Sequence, residues 1–217
     1  MKSRTSQILL RYWNDVRGPR IAPKRLEIEP GRFTAALAES FILERNPDGA
    51  YTFRLAGTRI CEDFGWELRG TDFRQLAGAH ADALQASFDV ITSEGAYGVF
   101  ELEAVAPDGR TCSLEAIVLP LVHTHDRITR FLGAISVLSR PFWIGTMPLT
   151  PLSITHGELR WTDGRVKPLQ LGHATDPVPA LDGVARVVRR DRRLFRVLDG
   201  GLSVPAALAT VECTSHD

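Results

Sequence analysis

Apolar residues recur along this chain with two periods, and the changes of period mark its elements. Ile8, Leu9, Tyr12, Trp13 and Val16 fall on one face of a helix over residues 6–17, and Gly18-Pro19 stops it. That apolar face either packs on its own domain or makes a dimer contact. Pro19 and Pro23 mark a connection to Pro30, where Pro-Gly-Arg-Phe-Thr-Ala-Ala-Leu-Ala starts a short helix with proline in its first turn. Phe41-Ile42-Leu43 and Tyr51-Thr52-Phe53 then flank Asn46-Pro47-Asp48-Gly49. Its proline presets a turn and its glycine allows positive φ, so the two runs form a hairpin.

The stretch from Phe53 to Leu76 switches period midway. Tyr51, Phe53 and Leu55 alternate as in a strand, whereas Ile60, Phe64 and Leu68 recur every four residues as on one helical face, and Gly57, Gly65 and Gly70 break the run. A longer helix follows over residues 79–93, with His80, Leu84, Phe88 and Ile91 facing inward and Gly95 placed to cap it. Three strands come next. Phe100, Leu102 and Ala104 alternate with Glu101, Glu103 and Val105; Pro107-Asp108-Gly109 turns the chain into Cys112–Leu121; and the loop His123-Thr124-His125-Asp126 leads to Ile128–Leu138. Beyond Arg140 the periodicity fades, and Pro141, Pro148, Pro151, Pro168, Pro177 and Pro179 interrupt every candidate helix. Phe142-Trp143-Ile144 stands out as a docking segment, and Leu194 to Gly201 reads as a late strand ending in a turn.

These residues carry a resemblance. Phe64-Gly65-Trp66-Glu67-Leu68-Arg69-Gly70 resembles the aromatic-Gly-aromatic-x-x-Glu-Leu-x-Gly turn of the PAS superfamily, with the acidic residue displaced. Phe53-Arg54-Leu55-Ala56-Gly57-Thr58, followed by Cys61 and Phe64-Gly65, is similar to a family of bacterial proteins that carry a single PAS domain and little else. The likeness spans residues 40–140. It implies an α+β fold: a five-stranded antiparallel sheet with helices packed on one face around a central cavity. On this reading residues 1–24 are the N-terminal amphipathic helix and its linker, 25–140 the PAS domain, and 141–217 an irregular extension, first proline-rich and then arginine-rich.

Composition narrows the function classes. Lys plus Arg and Asp plus Glu both number 26 in 217 residues, so no global field draws the chain to nucleic acid or an anionic membrane. The six arginines between Arg186 and Arg196 read as a solvated strand face or a dock for an acidic partner; no aromatic series or helix-turn-helix pattern accompanies them, so a nucleic-acid partner is not expected. Cys61, Cys112 and Cys213 are odd in number and lack knuckle or disulfide spacing, which points to reduced thiols. Ile8-Leu9-Leu10 is too short for a signal segment, and no apolar run reaches the ~20 residues of a membrane span. A soluble, cytoplasmic protein is the expectation.

No nucleophile elbow, phosphate loop or zinc-protease motif is present, so no enzymatic activity is expected. Candidate cavity residues are Phe53, Phe64, Phe73, His80, Leu84, Phe88, Phe100 and Leu102, which serve a ligand or simply fill a core. In haem-binding PAS sensors a histidine of the long helix ligates iron, and His80 holds that place; it equally suits a hydrogen-bonded histidine near a helix start. Light-sensing PAS relatives carry a reactive cysteine in a Gly-x-Asn-Cys-Arg-Phe-Leu motif. Here Gly70-Thr71-Asp72-Phe73-Arg74-Gln75-Leu76 puts Phe73 where that cysteine stands, and a phenyl ring forms no thiol adduct. Cys61 reads as a small buried apolar residue. His123, His125 and Asp126, on an extended segment, would offer three metal donors with no fourth in sight, so no metal site is assigned. The expected function is that of a stand-alone PAS regulatory protein in signal transduction. It would bind a small apolar ligand, a signalling protein partner, or both, as a homodimer and with the cofactor left unknown. The alternatives are a ligand-free dimeric scaffold and a haem sensor.

Overall fold

A computed structural model describes residues 1–149 and 152–169. Among these described residues seven antiparallel strands form one sheet: β1 Ser40–Arg45, β2 Tyr51–Ala56, β3 Tyr97–Val105, β4 Thr111–Val122, β5 Ile128–Val137, β6 Leu152–Arg160 and β7 Val166–Pro168. Their order across the sheet is β2-β1-β5-β4-β3-β6-β7. The helices are α1 Arg4–Arg17, α2 Thr58–Phe64, α3 Arg74–Ala77 and α4 Ala81–Glu94. The segment opened by Pro30 is a kinked 3-10 helix, Pro30–Glu39. Among the described residues no helix is long and apolar enough to cross a membrane.

The sheet is covered on both faces. Leu114, Ala116 and Val118 of β4 join the core beneath α2–α4, while Ile117, Leu119 and Leu121 join a second core beneath α1. Burial on both sides is why this strand reads as a nearly continuous apolar run. Pro120 interrupts it without harm, because the β3 register ends at Gly98 opposite Val118 and leaves Pro120 beyond it. Its carbonyl accepts the indole N–H of Trp13 at 2.8 Å.

Helix α1 is therefore tied to its own sheet. Leu9 and Trp13 are fully buried there, and Ser3 caps the helix by accepting the Ser6 N–H. The wholly buried Glu115 carboxylate of β4 accepts the backbone N–H groups of Lys2 and Ser3 at 2.5 and 3.1 Å. A carboxylate so placed satisfies otherwise unpaired donors and complements the helix dipole. A second carboxylate, Glu39, binds Thr5 of α1, Ser136 of β5 and Arg59 of α2 at 2.5, 2.7 and 3.0 Å. Burial pushes Glu39 up, but these three donors outweigh it and hold the group below its ordinary value.

Two expectations change. The sheet has seven strands, not five, because residues 152–168 are regular rather than irregular. β6 pairs with β3 through a register shift between Glu101 and Leu102, so Leu152 and Ile154 face inward, Thr155 and His156 outward, and Gly157 and Leu159 inward again. The bulge breaks the alternation that would have announced a strand. In addition, α2 ends at Phe64 with Gly65 at φ 83, so Leu68 does not continue its face. Within the docking segment Trp143 and Ile144 are buried in the helix-side core, whereas Phe142 is 93% exposed. The arginine cluster and the late strand lie outside the described residues.

Two outcomes follow from the anchoring of α1. Trp13→Ala should cost about 3–5 kcal/mol and Glu115→Ala about 2 kcal/mol in urea unfolding, with faster tryptic cleavage within residues 4–20 in both. Glu39 contributes its stability above its ordinary value of 4.5 and loses it as pH falls through the lower folded value. Glu39→Gln should therefore flatten the acid limb of the stability–pH curve, read by urea midpoints from neutral pH downward.

Candidate functional site

Between the sheet and helices α3 and α4 lies a cavity of about 50 Å³ whose lining is entirely apolar. Its walls come from both the sheet and the helices: Phe41, Leu43 and Phe53 of the first hairpin, Phe73, Leu76 and Ala77 at α3, Leu84 and Phe88 of α4, and Phe100, Leu102, Ala116, Val118, Ile135 and Leu152 from the remaining strands. The period-2 alternation of the strands and the four-residue spacing of α4 converge here because each keeps its own apolar set on the covered face.

Six of the eight residues singled out from the sequence line this cavity: Phe53, Phe73, Leu84, Phe88, Phe100 and Leu102. Phe64 is fully buried in the same core but stands away from the void, beside Trp66. His80 is also outside it. It lies at the start of α4, and its Nδ1 accepts the backbone N–H of Ile154 at 3.2 Å, so it ties the helix to β6.

The residue that sequence reasoning missed is Tyr51. It is fully buried and stacks on Phe88 with ring centroids 4.9 Å apart, and it meets Phe73 and Phe131 edge-on at 5.9 and 5.4 Å. Its hydroxyl donates to the Asp89 carboxylate at 2.8 Å and lies 3.0 Å from Thr92 Oγ1. Burial, and then the Asp89 carboxylate, push the phenol above its ordinary value of 10.0, so it remains a neutral donor. The pairing joins residues 38 and 41 positions apart; the only local signal for it is a tyrosine alternating with Phe53 on the inward face of a strand.

Neither described cysteine lines the cavity. Burial pushes Cys61 up, aided by Glu67, and pushes Cys112 up to about 11, so both are held as thiols at neutral pH. Cys213 lies outside the described residues. Phe73 occupies the cavity wall with its ring against Phe88 at 4.5 Å. The residues present do not fit haem: no histidine lines the void, and its wholly hydrocarbon wall of about 50 Å³ has nothing to meet a porphyrin's carboxylates. The loop at residues 123–126 is not the extended segment expected. His125 and Asp126 are both left-handed, at φ 52 and 54, so alternate donors do not face one way. Among the described residues no group of three metal donors forms.

A buried carboxylate beside this core is met by an exposed arginine. Asp63 of α2 is 5% exposed and receives Arg140 in a two-point contact at 2.5 and 3.1 Å; burial still leaves its carboxyl above the ordinary value. It holds the segment carrying Trp143 and Ile144 against the helices, and the Asp63 carbonyl also accepts the Leu149 N–H.

The fold and its cavity define a PAS domain, and residues 1–136 match the family model described as "PAS domain". The chain belongs to that family. No curated protein matches it. Two solved structures are similar in fold: a light-oxygen-voltage domain studied with a flavin analogue, at 17% identity, covering 49% of this chain and 82% of that one with a TM-score of 0.40; and the LOV domain of the blue-light photoreceptor Aureochrome1 in its light state, at 21% identity, 49% and 85% coverage and a TM-score of 0.39.

The ring cluster and the hydroxyl of Tyr51 should separate cleanly. Phe88→Ala should cost about 3–5 kcal/mol, because a cavity replaces a ring in contact with three others. Tyr51→Phe keeps the stacking and should cost only about 1 kcal/mol, since Asp89 is exposed and water replaces its lost donor. Chemical denaturation of both variants checks the pair.

Proposed function

We propose that this PAS domain protein is a regulatory protein that senses a small apolar ligand in its cavity and passes the cavity's state to a signalling protein partner. The observation that carries the reading is a small, wholly apolar void walled by both the sheet and α4. At about 50 Å³ it is far below the roughly 300–1,000 Å³ of sites for drug-sized molecules, so the ligand is either a few heavy atoms in size or admitted by displacing Phe88 and Leu84. The second case is a population shift. A ligand moves α4 against the sheet only as far as it favours one arrangement over the other, with couplings of typically ~1–3 kcal/mol. The Tyr51 hydroxyl gives that movement a route outward, because it links the ring cluster at the cavity to exposed Asp89.

The smallness of the same void favours a second reading, a ligand-free dimeric scaffold for a signalling complex. The apolar face of α1 is spent on its own sheet, so a homodimer built on this helix would use its polar outward face.

Native mass spectrometry compared with the denatured mass tests both readings, together with xenon titration followed through the methyl resonances of Leu84 and Leu102. A ligand mass lost on denaturation, or saturable xenon shifts at those methyls that Ala116→Val abolishes, is the expected result. Absence of both, with a dimer in the native spectrum, replaces the sensor by the scaffold.

A further inference from the structure

The chain's zero net charge hides a strong segregation. Residues 1–32 carry eight Lys and Arg against three Asp and Glu, whereas residues 33–169 carry twelve against seventeen. The basic excess collects where α1 turns away from the sheet. Arg4 and Arg11, two turns apart and about 10 Å along the helix, line a groove of about 380 Å³ whose other wall is Arg32. Its floor is apolar: half-buried Ile8 and buried Tyr12, with the Arg32 guanidinium 5.5 Å from the Tyr12 ring centroid. All three arginines are exposed, and none pairs with a carboxylate among the described residues, although eleven ion pairs form elsewhere. Asp15 closes the groove at its far end.

From this face we infer the chemistry of the partner: an acidic segment of another protein, which lays two carboxylates against Arg4 and Arg11 and an apolar side chain against Ile8. A protein is favoured over a lipid surface because the arginines ring a hollow, and Ile8 lies within it rather than projecting from it. It is favoured over nucleic acid because Asp15 makes the charge pattern mixed, and a uniform polyanion meets repulsion there while a protein segment can offer a Lys or Arg. Charges at such a rim steer encounter and respond to salt. Because α1 also closes the outer face of the sheet, a partner held here touches the element that spans β4 and β5. The inference rests on the reading of the protein as one that acts through a protein partner.

The full chain is titrated against a fluorescent synthetic helical peptide bearing two glutamates one heptad apart, a leucine between them and a lysine beyond. Its scrambled version, phosphatidylserine vesicles and a single-stranded oligonucleotide are compared at low and near-physiological salt. The ordered peptide should bind more tightly than the other three, and Arg4→Glu with Arg11→Glu should weaken it at least about tenfold. Arg69→Glu with Arg127→Glu, an equal change of net charge at exposed sites outside the groove, should leave it unchanged. Tighter binding of vesicles or oligonucleotide, equal loss in the control pair, or no peptide binding overturns the inference. The Leu84 and Leu102 methyl response to xenon is read on the same samples. An intact cavity response without peptide binding sinks the docking surface alone, and peptide binding with neither a cavity response nor a ligand mass in the native spectrum sinks the ligand reading alone.

Discussion

A sheet that is apolar on both sides of its central strand cannot stand with one face bare. From Leu114 to Leu121 every residue of β4 is buried, with alternate side chains feeding two different cores. At roughly 25 cal/mol for each Å² of apolar surface kept from water, leaving either face open would cost more than a domain's typical net stability of ~5–15 kcal/mol. Helices α2–α4 answer for one face and α1 for the other. α1 is accordingly part of the domain's core, and the family match beginning at residue 1 agrees with its burial.

Polar groups fix how that cover sits. Apolar contact alone would let a helix slide or rotate on a flat sheet, since the hydrophobic effect has no direction. Glu115 supplies the direction, because a buried carboxylate must find donors and the free N–H groups before the first turn of α1 are those donors. Trp13 adds a second fixed point about ten residues on, through the Pro120 carbonyl, which lies beyond the end of the β3 register. Two hydrogen-bonded points at opposite ends determine both the position and the angle of the helix. The outward stripe of Arg4, Ile8, Arg11 and Asp15 is then presented in a single orientation.

What the sequence disclosed follows from what is local. The hairpin, the strands β3–β5, α4 with its Gly95 cap and the inward set of Phe53, Phe73, Leu84, Phe88, Phe100 and Leu102 rest on periods that a few residues can display. β6 was hidden because a bulge shifts its alternation by one at midstrand, and the prolines around it read as breakers although Pro168 lies at the sheet's edge. His80 has the spacing of an inward helical position, yet it belongs to the turn before α4, where the last 3-10 residues rotate it toward β6. An amphipathic pattern at residues 6–17 could state that the face is covered but not by what. The size of the cavity was beyond reach altogether, since it is a difference of fractions of an ångström between many packed rings.

The placement of Tyr51 connects these parts. A phenylalanine would fill the same volume among Phe73, Phe88 and Phe131, so packing does not explain the hydroxyl. Its two partners, Asp89 and Thr92, stand on the same helix as Phe88 and Leu84, the first next to Phe88 and the second one turn beyond it, and Asp89 is exposed. Any rotation of α4 that opens the cavity at Phe88 must therefore stretch or re-aim a hydrogen bond whose far end lies in water. The cost of that bond, on the order of 1 kcal/mol, is comparable with the couplings by which ligands shift conformations. The hydroxyl gives the position of α4 on the sheet a directional restraint that ring packing alone does not supply.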